Sequence, residues 1–202
     1  MNMNYIKKRP WTREDILAYL RSNLKESRVL HILGVAEAAK ELASVYGEDQ
    51  DKAELAALYH DILKDKDKNW LISYLKSHGE EPFEGLLAWK TLHAPAGAIF
   101  AKEVCGQKSE EILNAIRFHT TGRAGMTLLE KIIFVADYIE EGRSFPGVDE
   151  LRMLARMDLD QAVLASLKSS IRHLRDMNEH VMSLSLEALT YYQEVTSRKD
   201  IL

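Results

Sequence analysis

With one cysteine, Cys105, in 202 residues, the chain can close no disulfide within itself and can build none of the cysteine-based zinc sites. That usage fits a reducing cytoplasm. No apolar run approaches the ~20 residues that cross a bilayer. The basic residues near the start, in MNMNYIKKRPWTRED, are not followed by the apolar stretch of a secretory signal. A soluble cytoplasmic protein without a membrane partner is expected. Basic charge is scarce as well: 27 Lys and Arg against 31 Asp and Glu leave a formal charge of −4. A dedicated nucleic-acid binder shows the opposite balance, so nucleic acid is not an expected partner. The one basic cluster, Lys7-Lys8-Arg9, reads as a solvated tail. A small anionic ligand stays compatible with this balance, because a few Arg and Lys gathered in one cleft act locally.

Breakers are few too, with four prolines and ten glycines. What lies between them is helical in spacing. The pattern predicts helices over about Arg13–Leu20 (Thr12 as N-cap), Glu26–Tyr46 (closed by Gly47), Gln50–Leu63, Lys68–Ser77, Leu92–Val104, Ser109–Phe118 and Leu128–Glu141. Beyond Pro146-Gly147 it predicts Asp149–Ala155 and Leu159–Arg175, a break near Met177–Met182, and a last helix over Leu186–Val195. No stretch alternates with period two for long, so no strand is expected. Apolar residues at 46% and charged residues at 29% are the balance of an ordinary globular domain. The fold class expected is all-α: a single domain over residues 1–202, its core at about 26–175, with an N-terminal and a C-terminal helix packed on it.

Familiar catalytic phrases are missing: no glycine-rich phosphate loop, no dinucleotide fingerprint, no His-Glu-x-x-His and no Gly-x-Ser-x-Gly. What carries chemistry is the position of histidines and aspartates. His60-Asp61 lies near the end of ELAALYHDILK, an almost wholly apolar helix. Burying an imidazole and a carboxylate there without partners costs several kcal/mol or more; either the pair faces water at a helix end or it meets a cation. Asp137 sits inside KIIFVADYIEE, where a lone ionised carboxylate calls for a cation, several donors or a buried arginine. His31 is flanked by Leu30, Ile32 and Leu33; His93 heads one helix and His119 ends another. Each could be a satisfied core histidine. Jointly, five helices each bring an imidazole or a carboxylate. Lys64, four residues after His60 and three after Asp61, shares their face if the helix continues, and it suits a phosphate oxygen or the helix dipole equally. His78, His173 and His180 fall in polar or charged surroundings and are read as solvated.

The order His31, His60-Asp61, Asp137 resembles the H…HD…D pattern of the HD superfamily of helical metal phosphohydrolases. The longer phrases SRVLHILGVAEAAKELA, ALYHDILKD, TLHAPAGA and IRFHTTGRAGMTLLEKIIFVADYIEEGRSFPGV, with LRMLARMDLDQAV after them, resemble the YqeK family, symmetrical bis(5′-nucleosyl)-tetraphosphatases of the HD type. They span about residues 28–165; the first 20 or so residues and NEHVMSLSLEAL match more loosely. The resemblance implies an HD-type helical bundle that hydrolyses diadenosine tetraphosphate to two ADP at a metal centre, with iron as the expected metal. Imidazole and carboxylate ligands also suit manganese, cobalt or zinc. By motif position His31, His60, Asp61 and Asp137 bind the first metal, while His93 and His119 complete a second site or contact phosphate. Arg28, Lys64, Thr120 and Arg143 match positions expected to hold nucleotide phosphates, with Gly122 and Arg123 as weaker candidates. Asp61 and Lys64 are the expected catalytic residues. The partners implied are a dinucleoside polyphosphate or ADP, and a homodimer is compatible. Two other readings remain: a nucleotide phosphatase or cyclic-dinucleotide phosphodiesterase of the same superfamily, and a metal- or nucleotide-binding module without turnover.

Overall fold

The structure, a computed structural model, describes residues 9–199; Lys7 and Lys8 of the expected basic tail lie outside the described residues. Its elements are α1 (Arg13–Asn23), α2 (Glu26–Tyr46), α3 (Gln50–His60), α4 (Lys68–Ser77), α5 (His93–Glu103), α6 (Glu110–Phe118), α7 (Leu128–Ile139), α8 (Val148–Met157), α9 (Leu159–Asp176) and α10 (Ser183–Lys199). Two short 3-10 turns, Glu84–Leu86 and Trp89–Thr91, lie between α4 and α5. Among the described residues there is no strand, as the missing period-two pattern leads one to expect. No helix there is long and apolar enough to cross a membrane.

Local chemistry starts and stops these helices. Thr12 and Asp15 form a capping box at α1, and Thr127 and Glu130 form another at α7. Gly47 closes α2 in the left-handed region, at φ 74°, where a side chain would be strained. Two ends differ from the expected ones in a way that matters for the site. The helix expected to run to Leu63 stops at His60; Asp61 is its C-cap, and hydrogen-bonded turns follow, with the Lys64 amide donating to the Asp61 carbonyl at 2.9 Å. The helix expected to reach Glu141 stops at Ile139, and the Glu140 backbone turns out of it at ψ 153°. The 3-10 turns were not legible as helix, since three residues carry no period.

Five helices make the centre. α2 packs on α3 and α7, α3 on α6, α5 on α6, and α6 on α7. Ile32, Val35, Ala56, Ile62, Ile116, Ile133 and Phe134 are buried where they meet. At about 25 cal/mol per Å² of apolar surface removed from water, this burial is the main force holding the five helices together. α9 backs α7, α8 and α10 lie on α9, and α1 and α4 cover α3 and α5. Each of the five central helices brings a donor group to a common point, and the cap of α3 adds a sixth.

Candidate metal centre

His31 comes from the second turn of α2, His60 from the last residue of α3, Asp61 from the cap after it, His93 from the first residue of α5, His119 from the C-cap of α6 and Asp137 from α7. His60, Asp61, His93 and His119 are buried, and His31 and Asp137 are nearly so. Their donor atoms form three overlapping sets: His31, His60 and Asp61; His60, His119 and Asp137; and Asp61, His93 and His119, with the atoms in each set within 4.8 Å of one another. All six expected ligands are thus brought together.

Asp61 sits between two halves. Its Oδ2 faces His60 Nε2 at 3.6 Å and His31 Nε2 at 3.8 Å, while its Oδ1 faces His93 Nε2 at 2.9 Å and His119 Nε2 at 3.5 Å. Helix ends orient the imidazoles. His60, His93 and His119 each donate Nδ1–H to the carbonyl three residues earlier, Ala57 at 2.6 Å, Lys90 at 2.7 Å and Ile116 at 2.7 Å. A neutral imidazole that donates through Nδ1 presents the lone pair of Nε2, and here all three lone pairs point inward. Burial pushes the pKa of His60 down to about 4; burial, with Lys64 adding to it, does the same to His93. Both rings are therefore neutral and ready to ligate at neutral pH.

His31 is oriented differently. Its Nδ1 lies 3.1 Å from Glu140 Oε1, and its Nε2 is 3.1 Å from Asp137 Oδ1. Burial works against a charge on this ring, but Asp137 and Glu140 outweigh it, so its pKa is raised. For Asp61 burial also works against the charge, yet His60, Lys64 and His93 together hold its carboxyl well below the usual range. Burial opposes ionisation of Asp137 too; His31, His60 and Arg143 reverse that, and its pKa is lowered.

The donor set fits a divalent cation. Among the described residues, five buried side-chain N and O atoms make no hydrogen bond; three of them are His31 Nε2, His60 Nε2 and Asp61 Oδ1. Two acceptor nitrogens, His93 Nε2 and His119 Nε2, face each other at 3.1 Å. Inward-facing lone pairs and an orphaned carboxylate oxygen repel one another unless positive charge lies among them, and hard-to-borderline metals take such N/O sets.

Cations ring the mouth. Arg28 donates to Asp61 Oδ2 at 2.8 Å; Lys64 Nζ lies 3.5 Å from Asp61 Oδ1 and 3.1 Å from His93 Nε2. Lys64 reaches this point although α3 does not continue, because the turn after Asp61 folds it back. Arg143 donates through Nη2 to Asp137 Oδ1 at 2.6 Å and through Nε to the Asp137 carbonyl at 2.8 Å. Asp137 thus meets an arginine, one of the explanations weighed for it, and it also stands beside the His31 imidazole. All three cationic side chains keep 30–40% of their surface exposed.

The remaining candidates are placed elsewhere. Thr120 follows His119 and lines a cavity beside the centre. Gly122 turns at φ 63° with Leu167, Met126 and Phe134 around it, a position in the packing of the turn. Arg123 makes a two-pronged pair with buried Glu130 at 3.0 and 2.9 Å. His78 pairs with Glu103, His180 with Glu84, and His173 is exposed; none joins the cluster. Glu140 was missed by sequence reasoning. It is buried, its Oε2 accepts from the Gly142 amide, and a side chain at Gly34 would sit 2.6 Å from that oxygen. The signal available was one acid in the pair EE at a helix end, which by itself suggests solvent.

An all-helical fold with a His/Asp centre of this make-up defines a metal-dependent hydrolase of the HD class, and residues 28–142 match the HD domain family. The chain belongs to the HD domain family and, within it, to the YqeK family. It is 43% identical over 187 residues to a Halalkalibacterium halodurans protein named bis(5′-nucleosyl)-tetraphosphatase, symmetrical, covering 93% of this chain and 99% of that one. It is 44% identical to the Bacillus subtilis protein of the same name, over 84% of this chain and 91% of that one. A solved HD superfamily hydrolase from Clostridium acetobutylicum, described as involved in NAD metabolism, superposes with a TM-score of 0.90 at 43% identity, over 92% of this chain and 99% of that one.

Proposed function

We propose that this protein hydrolyses diadenosine tetraphosphate symmetrically to two ADP at a centre of two divalent cations that share Asp61. The observation that carries the metal arrangement is the split of Asp61: one oxygen faces His31 and His60, the other faces His93 and His119. The substrate rests on the relatives that carry that activity in their names over nearly the whole chain.

In this reading His31, His60, Asp61 and Asp137 hold one cation, and Asp61, His93 and His119 hold the other, with iron the first candidate and manganese or cobalt next. Such cations lower the pKa of water and neutralise phosphoryl charge. The chain supplies the rest. Arg28, Lys64 and Arg143 stand half-exposed around the buried donors, where non-bridging phosphate oxygens can take over their hydrogen bonds. Charge that develops on those oxygens during transfer is then met by groups already in place, the condition under which phosphoryl transfer is fast. Arg143 can bind two oxygens at once and Lys64 one. Thr120 lines the neighbouring cavity, and Arg123 is held by Glu130.

Metal analysis of the purified protein, run beside chromatography of the products from diadenosine tetraphosphate, tests both halves. The expected result is bound divalent metal and ADP as sole nucleotide product. AMP with ATP, or an intact substrate, overturns the reading.

A further inference from the structure

Resting on that reading of the centre, we propose that the cavity enclosed by residues 80–95, the end of α6 and the start of α10 is a nucleoside subsite, which takes the base and ribose of one half of the substrate. Its volume is about 290 Å³, the lower end for small-molecule sites, which begin at roughly 300 Å³. It has room for one nucleoside and none for a whole dinucleotide.

Its position follows from the chain. Thr91 and Leu92 in its wall immediately precede His93, and Thr120 and Thr121 immediately follow His119. Neighbouring Cα atoms are about 3.8 Å apart. The wall is therefore built from the sequence neighbours of the two imidazoles that face Asp61 Oδ1, and in the proposed subsite the phosphates of a bound nucleotide run from there to that half of the centre.

The lining suits the uncharged part of a nucleotide. Pro82, Phe83, Pro95 and Phe118 give it apolar surface, and Phe118 is braced by the Arg123 guanidinium, 5.1 Å from its ring centre. Phe83 keeps 75% of its surface exposed. A large aromatic left open to water at the edge of a cavity offers a face for a base, worth about 1–3 kcal/mol. The charges argue against phosphate inside. Glu80, Glu81 and Glu84 outnumber Arg117, whose guanidinium is already taken by Glu80 at 2.7 Å. Glu80 is engaged by Arg117 and Glu84 by Ser183 and His180, which leaves Glu81 to accept from the amino group of a base. The acidic lining repels a polyphosphate, which goes instead to Arg28, Lys64 and Arg143.

The cavity is also held open by bonds between distant segments. Glu84 accepts from the Ser183 amide at 2.6 Å, the Ser183 hydroxyl at 2.7 Å and His180 Nε2 at 3.0 Å. Ser185 donates its hydroxyl to the Thr121 carbonyl at 2.9 Å. A preformed wall loses little freedom on binding.

The test compares Phe83→Ala with the unaltered, metal-loaded full-length protein, using ADP and pyrophosphate as separate probes in calorimetry and diadenosine tetraphosphate in kinetics. Loss of one stacking face is expected to weaken ADP binding by roughly 5- to 150-fold and to leave pyrophosphate binding unchanged. KM for the dinucleotide should rise with kcat little altered, and Phe83→Tyr should restore both. Leu87→Ala, exposed on the same segment but outside the cavity wall, should behave as wild type. Equal weakening of ADP and pyrophosphate, or no change in either, overturns the subsite. Wild-type protein that leaves the dinucleotide intact overturns the reading of the centre, whereas turnover indifferent to Phe83 overturns the subsite alone.

Discussion

Glu140 Oε1 lies 3.1 Å from His31 Nδ1, joining residues 109 positions apart. Among the described residues His31 is the one imidazole of the centre backed by a carboxylate; His60, His93 and His119 lean on backbone carbonyls. A carboxylate behind a ligating imidazole fixes its tautomer and raises its basicity. Arg152 holds the turn that carries Glu140, donating to the carbonyls of Ile139, Glu140 and Arg143 at 2.9, 2.9 and 3.0 Å.

Glu140→Ala should therefore lower metal affinity and turnover by about 10- to 100-fold while the helices persist, the usual effect of removing such a partner. Glu140→Gln, which can still accept from Nδ1, should fall between the variant and the wild type. Metal titration with circular dichroism on the same samples checks this. Wild-type affinity in the alanine variant would show that Glu140 does not orient His31.

Asp61 and Arg143 should fail in different ways. Asp61→Ala removes the carboxylate on which both halves of the centre converge; turnover should drop by more than about 10³-fold and bound metal should be lost, with helical content kept. Arg143→Ala leaves every donor atom of the cluster in place. Its metal content should match wild type, and KM should rise about tenfold, the order expected for one hydrogen bond to a charged group. Activity retained in Asp61→Ala would remove this site from consideration.

The metal-free protein should lose stability as pH falls from 6.5 towards 4. His60 and His93 have folded pKa values of about 4 against 6.5 for a free side chain. Across that window the unfolded chain binds protons that the native state refuses, so acid favours unfolding. Above 6.5 both states are neutral and the effect vanishes. His31, raised instead, acts in the opposite sense and at higher pH: its contribution is complete below 6.5 and is lost as pH rises above that value. Asp61 and Asp137, both lowered, contribute only at still lower pH. Unfolding free energies from urea titrations of chelator-treated protein near pH 7 and near pH 4.5 should differ by a few kcal/mol; equal values would contradict buried neutral imidazoles.

Cys105 should be inert in the native protein. It is fully buried, and burial pushes its thiol pKa up, with Tyr59 only partly countering this. The thiolate is the reactive form. A thiol reagent at neutral pH should label no cysteine until denaturant is added, and then one per chain. Rapid labelling without denaturant would place Cys105 at the surface.

The amino-acid sequence alone determined the helices and the candidate ligands. Helical spacing is a local property, written in residues three and four apart, so the long helices α2 and α9 were legible to within a residue at each end. Apolar surroundings marked His31, His60, Asp61 and Asp137 as candidates, because an unpaired polar group in such a place is costly; each alone kept a bland reading, and the resemblance implied the set with His93 and His119. Tertiary structure alone decided how those groups face one another. That α3 ends at His60, letting Asp61 turn one oxygen to each side and Lys64 fold back, depends on what α5 and α6 press against it. That Glu140 is a partner of His31 and not a surface acid, and that Arg123 is held by Glu130, depends on which helix faces meet, and contacts between residues far apart in the chain leave no period in the sequence to read.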